Sequence, residues 1–96
     1  MEIREIIWLD QFLDKIEHKH GLTADEVAEV LRSRPRITRI VPGDVEGEDL
    51  YRALGRTHAG RYVAVFFILK RGGSALPVSA RDMTAKERNR YADRKS

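Results

Sequence analysis

The sequence predicts an α+β fold: a small, mainly antiparallel sheet of four to five strands with two helices before it and one after. Three observations carry that prediction. The segment Tyr62-Val63-Ala64-Val65-Phe66-Phe67-Ile68-Leu69 is the longest apolar run, and its β-branched and aromatic content, with Gly60 before it and Gly72-Gly73 after, favours a strand in the middle of a sheet. Two capping boxes, Thr23-Ala24-Asp25-Glu26 and Thr84-Ala85-Lys86-Glu87, each open a helix by letting a threonine hydroxyl and a glutamate carboxylate satisfy amides that the first turn leaves orphaned. The strand-like segments after residue 36 are joined by connections of hairpin length, which makes neighbouring strands antiparallel.

Taken in order, Ile3-Arg4-Glu5-Ile6-Ile7-Trp8 reads as a short strand at the edge of the sheet, with Trp8 as a core or edge anchor. From Asp10 to about His20, Leu9, Phe12, Leu13 and Ile16 recur at helical spacing among Asp14, Lys15 and Glu17, an amphipathic helix that Gly21 ends. The helix opened by Thr23 buries Val27, Val30 and Leu31 and stops before Pro35. Ile37-Thr38-Arg39-Ile40-Val41 is a strand closed by Pro42-Gly43, and Asp44 to Asp49 is an acidic connecting loop without the spacing of a calcium hand. Leu50 to Thr57 forms the next strand; His58-Ala59-Gly60-Arg61 turns it, Gly60 suiting a bulge. The apolar strand follows, and Lys70 to Ser74 leads into Ala75-Leu76-Pro77-Val78-Ser79-Ala80-Arg81, where Pro77 must face outward or sit at a bulge because it cannot donate to a ladder. A helix beginning near Ala85 carries Lys86, Arg88, Arg90, Tyr91, Arg94 and Lys95. All helices are expected on one face of the sheet.

Residues 1 to 96 are expected to form one domain with one modest core. No cysteine is present, so disulfides and thiolate metal sites are excluded, which suits a reducing cytoplasm. No apolar stretch approaches the ~20 residues of a membrane span, and no secretory leader pattern opens the chain, so a cytoplasmic protein is expected. Charge is unevenly spread: residues 1 to 50 hold 7 Lys and Arg against 12 Asp and Glu, residues 51 to 96 hold 11 against 3. A basic half points to nucleic acid, or to acidic helices and basic strands that neutralise each other within one fold.

Arg52, Arg56, Arg61, Arg71 and Arg81 recur along the predicted meander, so a sheet that gathers them carries a basic surface. Cleavage of RNA by its own 2′-hydroxyl needs a group to take that proton, positive charge on the crowded phosphorane, and a proton for the leaving 5′-oxygen. Arginine grips phosphate bidentately and stays charged, while histidine, lysine or tyrosine can move protons. His20, Arg56, Arg81, Arg88 and Tyr91, with Lys19 beside them, are the set that suits this chemistry, and the scheme requires no metal or other cofactor. Each also has a plainer structural reading: His20 caps a helix dipole, Arg56 and Arg81 are exposed strand residues, and Arg88 and Tyr91 pack the last helix. His18, on a polar helix face, and His58, in a turn, stand outside the set. No Walker loop, nucleophile elbow, dinucleotide fingerprint or zinc spacing occurs.

The sequence resembles the BrnT family of bacterial type II toxins, ribonucleases of the broader RelE-like fold. The likeness is carried by Trp8, Lys19-His20-Gly21, Leu22 and Val27 to Leu31, then by Tyr51-Arg52-Ala53-Leu54-Gly55-Arg56-Thr57, Gly60-Arg61-Tyr62 and the apolar strand, and finally by Ser79-Ala80-Arg81, Glu87-Arg88 and Tyr91. The chain departs from the family at Leu9, Phe12 and Ile16, where members commonly carry Asp, Lys and Asn. The resemblance implies an endoribonuclease that arrests translation, with His20, Arg56, Arg81 and Tyr91 catalytic and Lys19, Arg52, Arg61 and Arg88 binding RNA. It also implies a cognate antitoxin of the ribbon-helix-helix, BrnA-like type, through which alone the toxin meets operator DNA. The alternative is a non-catalytic RNA- or partner-binding module of the same fold.

Overall fold

The computed structural model describes residues 2–41 and 48–93. The acidic loop and its weighed metal site fall mostly outside these residues, as do Pro42-Gly43, Arg94 and Lys95.

The elements appear in the predicted order. A two-residue strand β1 (Glu5–Ile6) precedes helices α1 (Asp10–His20) and α2 (Ala24–Arg32), then strands β2 (Arg36–Val41), β3 (Leu50–Arg56), β4 (Tyr62–Lys70) and β5 (Ser74–Asp82), and helix α3 (Ala85–Asp93). The strands form one sheet in the order β1-β5-β4-β3-β2, antiparallel except where β1 runs parallel to β5. The apolar β4 therefore has a partner on each side, as a middle strand should.

Local chemistry fixes the ends of these elements. Gly21 takes the left-handed conformation at φ 62°, and its N–H reaches the Glu17 carbonyl to close α1. Both capping boxes form: the Thr23 N–H donates to Glu26 and the Glu26 N–H to Thr23, and Thr84 and Glu87 repeat the exchange. Each such cap is worth about 1 kcal/mol. The β3–β4 turn needs Gly60 at φ 94°, with its N–H on the Thr57 carbonyl. Between Phe66 and Phe67 the β4–β5 pairing jumps from Ser79 to Pro77, so Pro77 borders a bulge in which Val78 is the extra residue.

One expectation is corrected: the helices do not share a face. α1 and α2 cover one side, where Ile16, Leu22, Val27 and Val30 bury against Val63, Val65, Phe67 and Ala80. α3 lies on the opposite side, above Leu54, Ala64 and Met83 with Tyr62, Phe66 and Tyr91. The physical reason is written in β4, which is apolar at successive positions rather than at alternate ones. A strand of that kind buries both of its faces, so the sheet needs a cover on each side.

Candidate functional site

The face beneath α3 is built by strand parity. Arg52 pairs with Phe66, Leu54 with Ala64 and Arg56 with Tyr62 across β3 and β4, while Ala64 pairs with Arg81 on β5. Pleating sends all these side chains to one side, so Arg52, Arg56 and Arg81 share a face. β3 and β5 flank β4, which sets Arg56 and Arg81 two strands apart, roughly 10 Å across the sheet.

Glu87, at the third position of α3, stands at the centre of this face. Its side chain is only 7% exposed, and it receives Arg81 through both carboxylate oxygens, Nη1 to Oε1 at 2.6 Å and Nη2 to Oε2 at 3.0 Å. Arg52 Nη1 reaches Oε2 at 3.4 Å, and the Thr84 N–H donates to Oε1 at 2.9 Å. Burial works to raise the Glu87 pKa, but the Arg81 and Thr84 hydrogen bonds and the two guanidinium charges outweigh it and hold the carboxyl below its ordinary value. The Glu87 hydrogen bond raises the Arg81 pKa in turn, against the opposing effect of burial. One carboxylate thus organises two arginines and leaves the group cationic. Arg81 also donates to the Asp82 carbonyl and lies with Cζ 5.1 Å from the Phe66 ring. The buried Arg52 Nε has no hydrogen-bond partner among the described residues.

A groove opens beside this cluster, with Thr38 and Ile40 of β2 on one wall, Lys86 and Arg90 of α3 on the other, and Arg52 and Arg81 lining it between them. Among the described residues that line it, the cationic side chains outnumber Glu87, the one acidic side chain. At the other end of the face, Arg56 Cζ lies 4.5 Å and Arg88 Cζ 4.1 Å from the centre of the Tyr62 ring, and Tyr91 meets that ring edge-on at 6.0 Å. Arg56 also donates to the Gly60 carbonyl at 3.2 Å.

The remaining candidates approach from the helix side. Lys19 and His20 line a shallow cleft with Lys15, Ile16, Val78 and Ser79. Among the described residues no hydrogen bond or ion pair links His20 to Arg56, Arg81 or Tyr91. Arg61 is a tie between α1 and the sheet: its Nε meets Asp82 at 2.7 Å and its two terminal nitrogens reach the carbonyls of Gly21 and His20. The Arg61 hydrogen bond lowers the Asp82 pKa, burial opposes it, and the charges of Arg61 and His20 reinforce it. The candidates thus fall into two groups, Arg52, Arg56, Arg81, Arg88 and Tyr91 beneath or on α3, and Lys19 and His20 at the end of α1. No group of three or more His, Asp or Glu side chains among the described residues is arranged to hold a metal ion.

Sequence reasoning read Glu87 as a capping residue and Tyr62 as part of the apolar strand, and counted both in the family likeness without giving either a place in the site. A hairpin whose loop spans Thr57 to Arg61 pairs Arg56 with Tyr62, so the spacing held the signal for the second. The first is drawn into the site by Arg81, six positions before it, and by Arg52, 35 positions before it, and no spacing rule joins either pair.

A family model described as the ribonuclease toxin BrnT of type II toxin–antitoxin systems matches residues 13–87. Among solved structures, the crystal structure of the Brucella abortus ribonuclease toxin BrnT is similar, with 22% sequence identity, a TM-score of 0.62, and coverage of 83% of this chain and 96% of that one. That likeness is one of fold. No curated protein matches the chain significantly by sequence.

Proposed function

The chain belongs to the BrnT family, ribonuclease toxins of type II toxin–antitoxin systems, and from that premise we propose that it is an endoribonuclease that cuts RNA on the sheet face beneath α3. The observation that carries this reading is the common face of Arg56 and Arg81, carried by the two strands that flank β4. In the reaction, the 2′-oxygen of one nucleotide attacks the adjacent phosphorus as its proton passes to a base. The bond to the 5′-oxygen breaks, that oxygen takes a proton from an acid, and a 2′,3′-cyclic phosphate remains. Arg56 and Arg81 hold the scissile phosphate and stabilise the phosphorane. Tyr91, on that face, and His20, at the end of α1 on the other side of the sheet beside Val78 and Ser79 of β5, are the candidates for the two proton transfers. The scheme requires no metal.

Three hydrogen bonds, two to Glu87 and one to the Asp82 carbonyl, occupy three of the five Arg81 donors. Its Nε–H and one Nη2–H have no acceptor among the described residues, so Glu87 fixes the guanidinium while donors remain for phosphate. Arg52, Arg88 and Lys19 bind the flanking backbone, and Arg61 contributes by holding the end of α1 that carries His20.

Membership of a type II family implies a cognate antitoxin. We take that partner to be of the ribbon-helix-helix, BrnA-like type, with the toxin meeting operator DNA only through it and acting in the cytoplasm on RNA needed for translation. Expression without the partner should arrest growth, and the purified protein should cut RNA in the presence of EDTA. Absence of both toxicity and RNA loss refutes the proposal. RNA that is bound salt-sensitively but stays intact after long incubation instead marks a non-catalytic module.

A further inference from the structure

We propose that Tyr62 is the floor of a nucleobase-stacking subsite next to the phosphate-binding arginines, one that takes an unpaired base of single-stranded RNA. The inference rests on the ribonuclease reading and deepens it by assigning a residue outside the catalytic set.

The ring is held as a platform. Tyr62 is half-buried against Leu54, Ala64 and Met83, and the edge-on contact of Tyr91 limits its rotation. Two exposed guanidiniums, those of Arg56 and Arg88, lie within 4.5 Å of its centre, and neither has a carboxylate partner among the described residues. Two like charges against one ring repel each other, and the arrangement leaves both arginines seeking an anion. A nucleotide unit answers both features, since its phosphate supplies the anion and its base the π-face. A cleft lined by Tyr62, Arg88, Asn89 and Tyr91 opens beside the ring and gives a base its route of entry.

Arg88 is the mobile element of the subsite. It projects from the exposed surface of α3, and among the described residues the contact its side chain makes is the cation–π contact with Tyr62. Such exposed contacts are weak, so a base that stacks on the ring displaces the guanidinium, which then turns to the neighbouring phosphate. Arg56, anchored to the Gly60 carbonyl, stays in place. Because every base has a π-face, the subsite favours unpaired over paired RNA more than one base over another.

The test uses short single-stranded 2′-O-methyl oligoribonucleotides, which cannot be cut, one intact and a set carrying a single abasic residue at each position in turn. Affinities are read by fluorescence anisotropy. For the wild-type chain, one abasic position should weaken binding about 10-fold, within the range that base–aromatic stacking supplies. Tyr62→Leu should bind the intact RNA as weakly as wild type binds that abasic RNA and be insensitive to the lesion, and Tyr62→Phe, which keeps the ring, should restore the sensitivity. An abasic penalty of equal size in Tyr62→Leu and wild type overturns the subsite. If Tyr62→Leu fails to fold, equal wild-type affinity for all the RNAs overturns it. Wild type that cuts natural RNA yet shows no abasic penalty removes this inference alone; wild type that neither cuts nor binds RNA removes the ribonuclease reading with it.

Discussion

Replacing Glu87 by glutamine removes one negative charge from between two arginines while keeping the size of the side chain. The carboxylate accepts two close hydrogen bonds from Arg81 and a longer one from Arg52. Net contributions of hydrogen bonds to charged groups run at about 1.5–3 kcal/mol each. The Arg81 side chain is 34% exposed and regains part of its hydration when released, which reduces the loss. The expected cost of Glu87→Gln is therefore about 2–3 kcal/mol, a fall in melting temperature of roughly 10–20 °C for a domain of this size. Glu87→Ala should cost about 1 kcal/mol more, since the capping bond to the Thr84 N–H goes as well. Circular-dichroism melts at pH 7 read both values. Because the folded Glu87 pKa is depressed from 4.5, its stabilisation is complete above that value and is lost as pH falls through the lower folded value. The gap between wild type and Glu87→Gln should thus narrow below about pH 4.5. A variant within about 0.5 kcal/mol of wild type at pH 7, or a gap indifferent to acid, refutes the reasoning.

Other substitutions test the frame that holds the site. Leu9 sits at the N-cap of α1 in extended conformation, 41% exposed and with no side-chain cap, so Leu9→Asp should add about 1 kcal/mol in urea unfolding. Gly55→Ala places a Cβ 3.0 Å from Ser33 Oγ and 3.1 Å from Val30 Cγ1, and chemical denaturation should register a loss of about 1–3 kcal/mol from overpacking where β3 meets α2. Arg61→Ala should cost only about 1 kcal/mol, because Asp82 is 64% exposed, but amide exchange at Gly21 and Leu22 should quicken as the end of α1 loosens. Phe67→Ala empties the centre of the larger core and should cost about 3–5 kcal/mol by the same denaturation assay.

Elements with a local signature could be read before any coordinate was known. Both capping boxes, the glycine that ends α1, the β3–β4–β5 meander and the central place of β4 follow from residues close together in sequence, whereas the parallel pairing of β1 with β5 joins Glu5 to Ser74. The side on which α3 packs does not, because it depends on how both faces of β4 are covered; the unbroken apolar run was nevertheless a hint that two covers were needed. The site was legible to the same degree. Parity along β3 and β4 places Arg52 and Arg56 together once the hairpin register is known, and Arg81 follows from pairing past the bulge. What stayed hidden was where long side chains go: Arg61 turns toward Asp82 and the end of α1, and Arg81 turns toward Glu87. The buried Ile16, at a position where the family commonly has a polar residue, reads as core because its side of α1 faces the sheet.

The central claim is that the arginine face beneath α3 cuts RNA, and single-turnover cleavage of one RNA by wild type, Arg56→Ala and Arg81→Ala tests it most directly, each variant first shown to melt as a folded domain. Wild type should cleave with EDTA present, and both variants should cleave at least about 100-fold more slowly, the scale on which loss of one charge-stabilising donor acts. Cleavage by both variants at the wild-type rate contradicts that claim.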